Sequence, residues 1–261
     1  LALSFACLIL LGALLLMLPW ASRDRGSLPF LDALFTSASA SCVTGLVLYD
    51  TWTQFTLFGQ AVMMVLIQIG GLSFMTVSAL VSIFLGRRIG LHQRSILMDS
   101  VGALQMGGVV RLTRRALKVT VACESLGAAA LLVWFCPRYG LRGVWMAVFH
   151  AISAFCNAGF DLLGTGSSLT SAAGEPYLNI VLILLIIAGG LGFLVWDDIL
   201  THGTHFSRWR LHSKITLTGT LLVFFLSAGA FYILEGDHAF AGASAGDQLL
   251  MAAFQAVTPR T

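Results

Sequence analysis

Four stretches of this chain, residues 1–22, 51–86, 176–196 and 215–234, contain no Asp, Glu, Lys or Arg. A helix needs roughly 20 mostly apolar residues to cross the hydrocarbon layer of a bilayer, and each stretch is long enough. A fifth stretch, 116–136, carries a single acid, Glu124. Five spans are therefore expected. A cleaved leader is a poor reading of the first stretch, because no basic segment precedes it and its apolar run is long. Composition agrees: 10% of the residues are charged, against about 25% in a soluble domain. So few charges cannot cover a water-facing surface, and the lipid bilayer is the expected solvent.

The basic residues give orientation. Arg87, Arg88, Arg94, Arg111, Arg114, Arg115 and Lys118 face one acid, Asp99, across 86–118, and Arg208, Arg210 and Lys214 follow in 200–214. Segments 20–50 and 137–175 hold two basic residues each. The positive-inside rule assigns 86–118 and 200–214 to the cytoplasm. The net charge of +3 thus reads as topology, and no nucleic-acid partner is expected. Five cysteines without paired spacing point to neither a disulfide framework nor a zinc site.

The chain also repeats itself. "SASASCVTGLVLYD" (37–50) and "AISAFCNAGFDLLG" (151–164) align without a gap: Phe35 with Phe149, Ser39 with Ser153, Ala40 with Ala154, Cys42 with Cys156, Gly45 with Gly159. Each is followed by a span with a second shared phrase, "IGGLSF" (69–74) and "AGGLGF" (188–193). A third copy opens near Ile215, with "FQAVT" (254–258) matching "FHAIS" (149–153), and stops at "PRT". The segments before the phrases, about 29–40, 143–155 and 245–257, are too short to cross a bilayer and suit re-entrant helices dipping in from the outer face. The expected organisation is a first repeat over 1–85, a cytoplasmic basic linker over 86–114, a second repeat over 115–199, a cytoplasmic linker over 200–214, and a third repeat over 215–261 cut within its own phrase. The fold class is an all-α integral membrane protein of repeated span, re-entrant pore helix and span, arranged pseudo-fourfold about an ion path.

Non-helical backbone at membrane depth is tolerated where it is buried in protein or lines a watery cavity. Glycine there permits positive φ, and carbonyls turned toward one axis can replace the hydration shell of potassium. The Thr44 hydroxyl is a further candidate oxygen, and the carbonyl end of each short helix favours a cation. The competing reading makes the phrases corners between packed helices.

"LPFLDALFTSASASCVTGLVLYDTW", "LIQIGGLSFMT", "FHAISAFCNAGFDL" and "FQAVTPRT" together resemble the KtrB branch of the TrkH/KtrB potassium-transporter superfamily, across essentially the whole chain. The resemblance implies four repeats around one path and potassium uptake across the cell membrane, often sodium-dependent. It also implies a homodimer with a cytosolic nucleotide-binding regulatory ring. By position, Cys42, Val43, Thr44 and Gly45 become the first filter strand and Cys156, Asn157, Ala158 and Gly159 the second. The third begins near Thr258–Thr261. Gly45 is the position tied to preferring potassium over sodium. No cofactor is implied in this chain; potassium, and sodium where transport is coupled to it, are the transported ions. The family's "TPRTAGF" is cut after Thr261, and the first residue is Leu, so a fragment or a non-functional truncation is expected.

Other residues carry weaker expectations. Asp50 and Asp161 are outer-mouth acids that would concentrate cations, or else capping acids. Glu124 is expected in a structural ion pair with Lys118 or an arginine. Gly70–Gly71 and Gly189–Gly190 are expected to allow close helix approach. His202, His205 and His212, near Asp197 and Asp198, read as solvated loop residues. An enzyme is not expected, since Glu124 is the lone acid within the spans. The alternative function is a carrier for another cation or small solute, with the glycine phrases as structural corners.

Overall fold

The structure is a computed structural model that describes residues 2–24, 26–72, 109–164, 166, 168–203 and 205–260. Among these residues it is helical, with no strand beyond one isolated bridge between Ser22 and Phe55.

Helix α1 spans Ala2–Leu16. Helix α2, Phe30–Ser41, starts directly after Pro29 and carries Asp32 in its first turn, where an acid complements the helix dipole. A single turn, α3 (Thr51–Gln54), leads to α4 (Leu57–Gly71), whose first turn is capped by the Thr56 hydroxyl. Helix α5 (Val109–Tyr139) is the longest and is followed at once by α6 (Arg142–Phe155). A 3₁₀ turn at Ser168–Ala172 precedes α7 (Pro176–Gly190), which has proline at its start, and α8 (Phe193–His202). Helix α9 (Leu211–Glu235) then turns back into α10 (Ala245–Val257). The Ser244 hydroxyl caps α10 by accepting from the Asp247 amide.

Packing follows a simple rule. A long or apolar helix pairs with the shorter helix after it: α1 with α2, α5 with α6, α9 with α10. Helix α4 then closes on α2, and α7 closes on α6. Phe55, Met63, Ile67, Leu131, Phe135, Phe149, Phe160, Leu178 and Leu182 fill one continuous core between them. Gln60, fully buried on α4, fixes α6 by accepting from the Trp145 indole at 2.8 Å while its amide donates to the Phe55 carbonyl. By contrast Leu222, Phe225, Leu226 and Ile233 of α9 lie bare, an arrangement suited to hydrocarbon rather than water.

Among the described residues two helices, Leu112–Tyr139 and Leu211–Glu235, are long and apolar enough to cross a membrane, or three spans if one bent pair is counted as one. The run 176–196, expected as one span, is broken: α7 and α8 meet at 93°. The break falls at Gly192, whose φ of +81° no helix can continue through. Trp196 donates its indole N–H to the Ala188 carbonyl at 2.9 Å, satisfying a group that the break exposes. The apolar helices Phe5–Leu16 and Leu57–Gly71 are shorter than a span. The remainder of the run 51–86, and most of the basic segment 86–118, lie outside the described residues.

Candidate functional site

The two aligned phrases have the same backbone. Cys42 closes α2 with φ −89°, and Cys156 closes α6 with φ −79°. Val43 and Asn157 then turn left-handed, at +56° and +55°, as do Gly45 and Gly159 at +76° and +75°. The intervening Thr44 and Ala158 keep negative φ. The hydrogen bonds repeat as well. The Cys42, Val43 and Thr44 amides donate to the Ala38, Ala40 and Ser39 carbonyls; the Cys156, Asn157 and Ala158 amides donate to those of Ile152, Ala154 and Ser153. This is the paired-bond helix ending in which a left-handed residue follows the cap.

Two consequences follow for the chemistry. First, the N–H groups at 42–44 and 156–158 are consumed by the helix ends and are not available to an anion. Second, the carbonyls of Cys42, Val43, Thr44 and Gly45, and of Cys156, Ala158 and Gly159, accept no hydrogen bond among the described residues. The sign of φ thus alternates along each phrase. The Thr44 hydroxyl is turned back and donates to Ser39 Oγ at 3.0 Å.

The two loops touch through their glycines. A Cβ on Gly45 would lie 2.7 Å from the Ala158 oxygen and 3.3 Å from Gly159 Cα. No side chain fits there, and the left-handed φ independently disfavours one. Behind the loops the second pair of glycines repeats the theme. A methyl group on Gly70 of α4 would collide with the Ser41 carbonyl, the last of α2. A methyl on Gly189 of α7 would collide with the Phe155 carbonyl, the last of α6. Close approach of a neighbouring helix to a short-helix end is the role these glycines serve.

Val43 is the anomaly. A left-handed β-branched residue is a true outlier, of the kind that costs about 1–3 kcal/mol and persists where surrounding structure enforces it. Its side chain packs against Gly70. Asn157 tolerates the same conformation more readily. Its side-chain amide donates to the Thr258 carbonyl at 2.8 Å, reaching the start of the third phrase. Thr258 belongs to a 3₁₀ turn, Thr258–Arg260, that continues α10. Thr261, expected in the third strand, lies outside the described residues.

The acids divide. Asp50 caps α3, accepting from the Trp52 and Thr53 amides at 3.0 and 2.9 Å, and its other oxygen accepts from Gly166 at 3.1 Å. It ties the loop after the first phrase to the loop after the second. Asp161 accepts from the Leu163 amide at 2.9 Å. Asp32 accepts a 2.6 Å bond from the Tyr49 hydroxyl, and that bond holds the phenol's pKa above its ordinary value. Glu124 departs from expectation: its partner is the Gln68 amide of α4, at 2.9 Å, and among the described residues no cation reaches it. Gln68 is one turn from Gly71, which abuts Cys156, so Glu124 stands close behind the second phrase. His150 is structural. Its Nδ1 lies 2.7 Å from the Met146 carbonyl and its Nε2 accepts from the Leu162 amide, which fixes a neutral ring with the proton on Nδ1.

The residues near His202 also depart from expectation. Asp198 is fully buried rather than solvated. It accepts from Ser213 Oγ and from the Arg210 amide, and it pairs with the Arg210 guanidinium at 3.4 Å. Asp197 pairs with Arg115 of α5 at 2.6 Å and with Arg210 at 3.2 Å. One ionic junction thus joins α5, α8 and the start of α9. Nothing in the local sequence marks it, because Arg115 lies some 80 residues away.

Residues 4–261 match the sequence profile of a family described as TrkH, cation transport protein. The chain is 42% identical over 264 positions to the Ktr system potassium uptake protein B of Bacillus subtilis (strain 168), covering all of this chain and 58% of that protein. It is 42% identical over 262 positions to the potassium/sodium uptake protein NtpJ of Enterococcus hirae, covering all of this chain and 57% of that protein. With the Ktr system potassium uptake protein B of Vibrio alginolyticus it shares 37% over 265 positions, covering 99% of this chain and 57% of that one. The chain thus spans less than two thirds of the length of these curated relatives.

Proposed function

Because this chain belongs to the TrkH family of cation transport proteins, we propose that it forms part of the translocating subunit of a potassium uptake system in the cell membrane. Residues 42–45 and 156–159 are two strands of its selectivity filter. One observation carries the reading: two loops with alternating φ in which the amides at 42–44 and 156–158 are consumed and the carbonyls of Cys42, Val43, Thr44, Gly45, Cys156, Ala158 and Gly159 accept no hydrogen bond among the described residues. A dehydrated alkali cation requires carbonyl oxygens that are not already bonded. The carbonyl ends of α2 and α6 add partial negative charge beside it.

The corner reading is weaker on a specific ground. A left-handed residue after a helix cap is usually glycine, yet here Val43 and Asn157 stand there, and glycine comes two residues later, where the loops meet. In this proposal α1–α2–α4, α5–α6–α7 and α9–α10 are successive copies of one unit. Helices α2, α6 and α10 are re-entrant pore helices, and Thr258–Thr261 opens the third strand. Asp50 and Asp161 border the outer mouth, where Asp50 also ties two loops together. The names of relatives, a potassium/sodium uptake protein among them, support testing sodium as co-transported ion. The naming of others as parts of a Ktr system supports a regulatory partner; we assign a nucleotide-binding ring to the basic face and a second copy of the transporter as the other partner.

The test is rubidium and sodium uptake into vesicles holding the full-length gene product, wild type and Gly45→Ser. The expected result is rubidium uptake by the wild type and a lowered rubidium-to-sodium flux ratio in the variant at equal folded protein. An unchanged ratio in folded Gly45→Ser sinks the filter assignment.

A further inference from the structure

Asn157 does something its counterpart Val43 cannot. Its amide crosses from the second loop to the Thr258 carbonyl at 2.8 Å, 101 residues further along the chain. The gap it crosses is open on one side: a cavity of about 510 Å³ lies between α6, α7 and α10, lined by His150, Ser153, Phe254, Gln255, Asn157 and Thr258. Helix α10 packs chiefly against α9 and α7 rather than α6. Where side chains do not fill the space, position is set by the polar contacts that span it.

Thr258 matches Ser39 and Ser153 in the aligned phrases, the residues whose carbonyls receive the Thr44 and Ala158 amides. The side-chain amide of Asn157 thus reaches, in the third phrase, the carbonyl at the position that anchors the helix ends in the first two. The first and second loops, by contrast, meet through bare glycine backbone at Gly45 and Gly159. The junctions between successive loops are therefore built differently: direct contact at one, a side-chain strut at the other.

We infer that Asn157 is a specificity-determining positioning residue, a strut that sets the spacing between the second and third loops across a cavity. This inference rests on the filter reading of those loops. A set of oxygens discriminates between alkali cations only while its spacing is held, and the strut holds it where packing does not.

Rubidium and sodium uptake by the full-length gene product tests this, comparing wild type, Asn157→Gly, Asn157→Asp and Gly45→Ser at equal folded protein. Asn157→Gly keeps the left-handed φ without strain and removes the donor. Asn157→Asp keeps the shape and exchanges donor for acceptor, so it serves if the glycine variant fails to fold. The expected result is a rubidium-to-sodium ratio lowered about three- to tenfold in either variant, the range that loss of one ordinary hydrogen bond produces. A merely structural role would lower total uptake and leave the ratio alone. A wild-type ratio in the Asn157 variants, with a lowered ratio in Gly45→Ser, overturns the strut and leaves the filter standing. A wild-type ratio in all three overturns both.

Discussion

Glu124 shows how much one residue's surroundings decide. It lies midway along α5, and its contact is the uncharged Gln68 amide. Among the described residues Gln68 Oε1 is buried without a partner. We predict that Glu124→Gln retains thermal stability in detergent within about 0.5 kcal/mol, as a swap that keeps the acceptor should. Glu124→Ala strands the Gln68 amide and should lose about 1–3 kcal/mol. A large loss in the glutamine variant would mean that the charge is required. The sequence marked Glu124 as unusual but not its partner, because an amide inside the apolar stretch of α4 carries no charge signal.

At the scale of elements, the short helices α2, α6 and α10 were legible: small polar residues after a brief apolar segment predict a helix that stops early. Their ends were legible too, since Gly45 and Gly159 align. The 93° bend between α7 and α8 was not. Hydropathy reports which solvent a segment prefers and not its direction, and "AGGLGF" reads the same in a straight span as at a corner. The glycine contacts can be tested at this scale. Gly189→Val drives a branched side chain into the Phe155 carbonyl and should separate α7 from α6. The expected outcome is a loss of at least about 1–3 kcal/mol, the range for overpacking a tight site, read as a lowered unfolding midpoint. Gly219, which has nothing within 4 Å of an added Cβ, is the control: Gly219→Val should leave the midpoint within a few tenths of that range. Equal effects at the two positions would refute the close-approach role.

Across the whole molecule, the junction of Asp197, Asp198, Arg115 and Arg210 holds together elements distant in sequence. It was illegible from the sequence for that reason; the local run "HGTHFSRWRLH" looks like a hydrated loop until α5 is laid beside it. Asp198 is buried, whereas Arg210 is half exposed and keeps Asp197 as a partner, so truncating Asp198 costs chiefly the acceptor of the buried Ser213 hydroxyl, about 1–3 kcal/mol. Asp198→Ala should therefore loosen the junction and open the α8–α9 connection to proteolysis, while Asp198→Asn, which keeps the acceptor for Ser213, should lose less. Limited proteolysis of the two variants side by side checks the order; a reversal would show that charge rather than hydrogen bonding holds the junction.

The contact between Gly45 and Gly159 has an evolutionary corollary. The smallest change available to a codon at either position adds a methyl group, and a Cβ on either glycine would lie 3.3 Å from the other's Cα, in a left-handed backbone that disfavours any side chain. Drift at these sites has no gentle first step, so on the proposed filter reading a lineage cannot adjust ion preference there by degrees. Gradual tuning must pass through the neighbours at 43 and 157, where the same left-handed turn is already occupied by two different side chains. Variation among descendants of this chain should concentrate at those two positions and leave the glycines fixed.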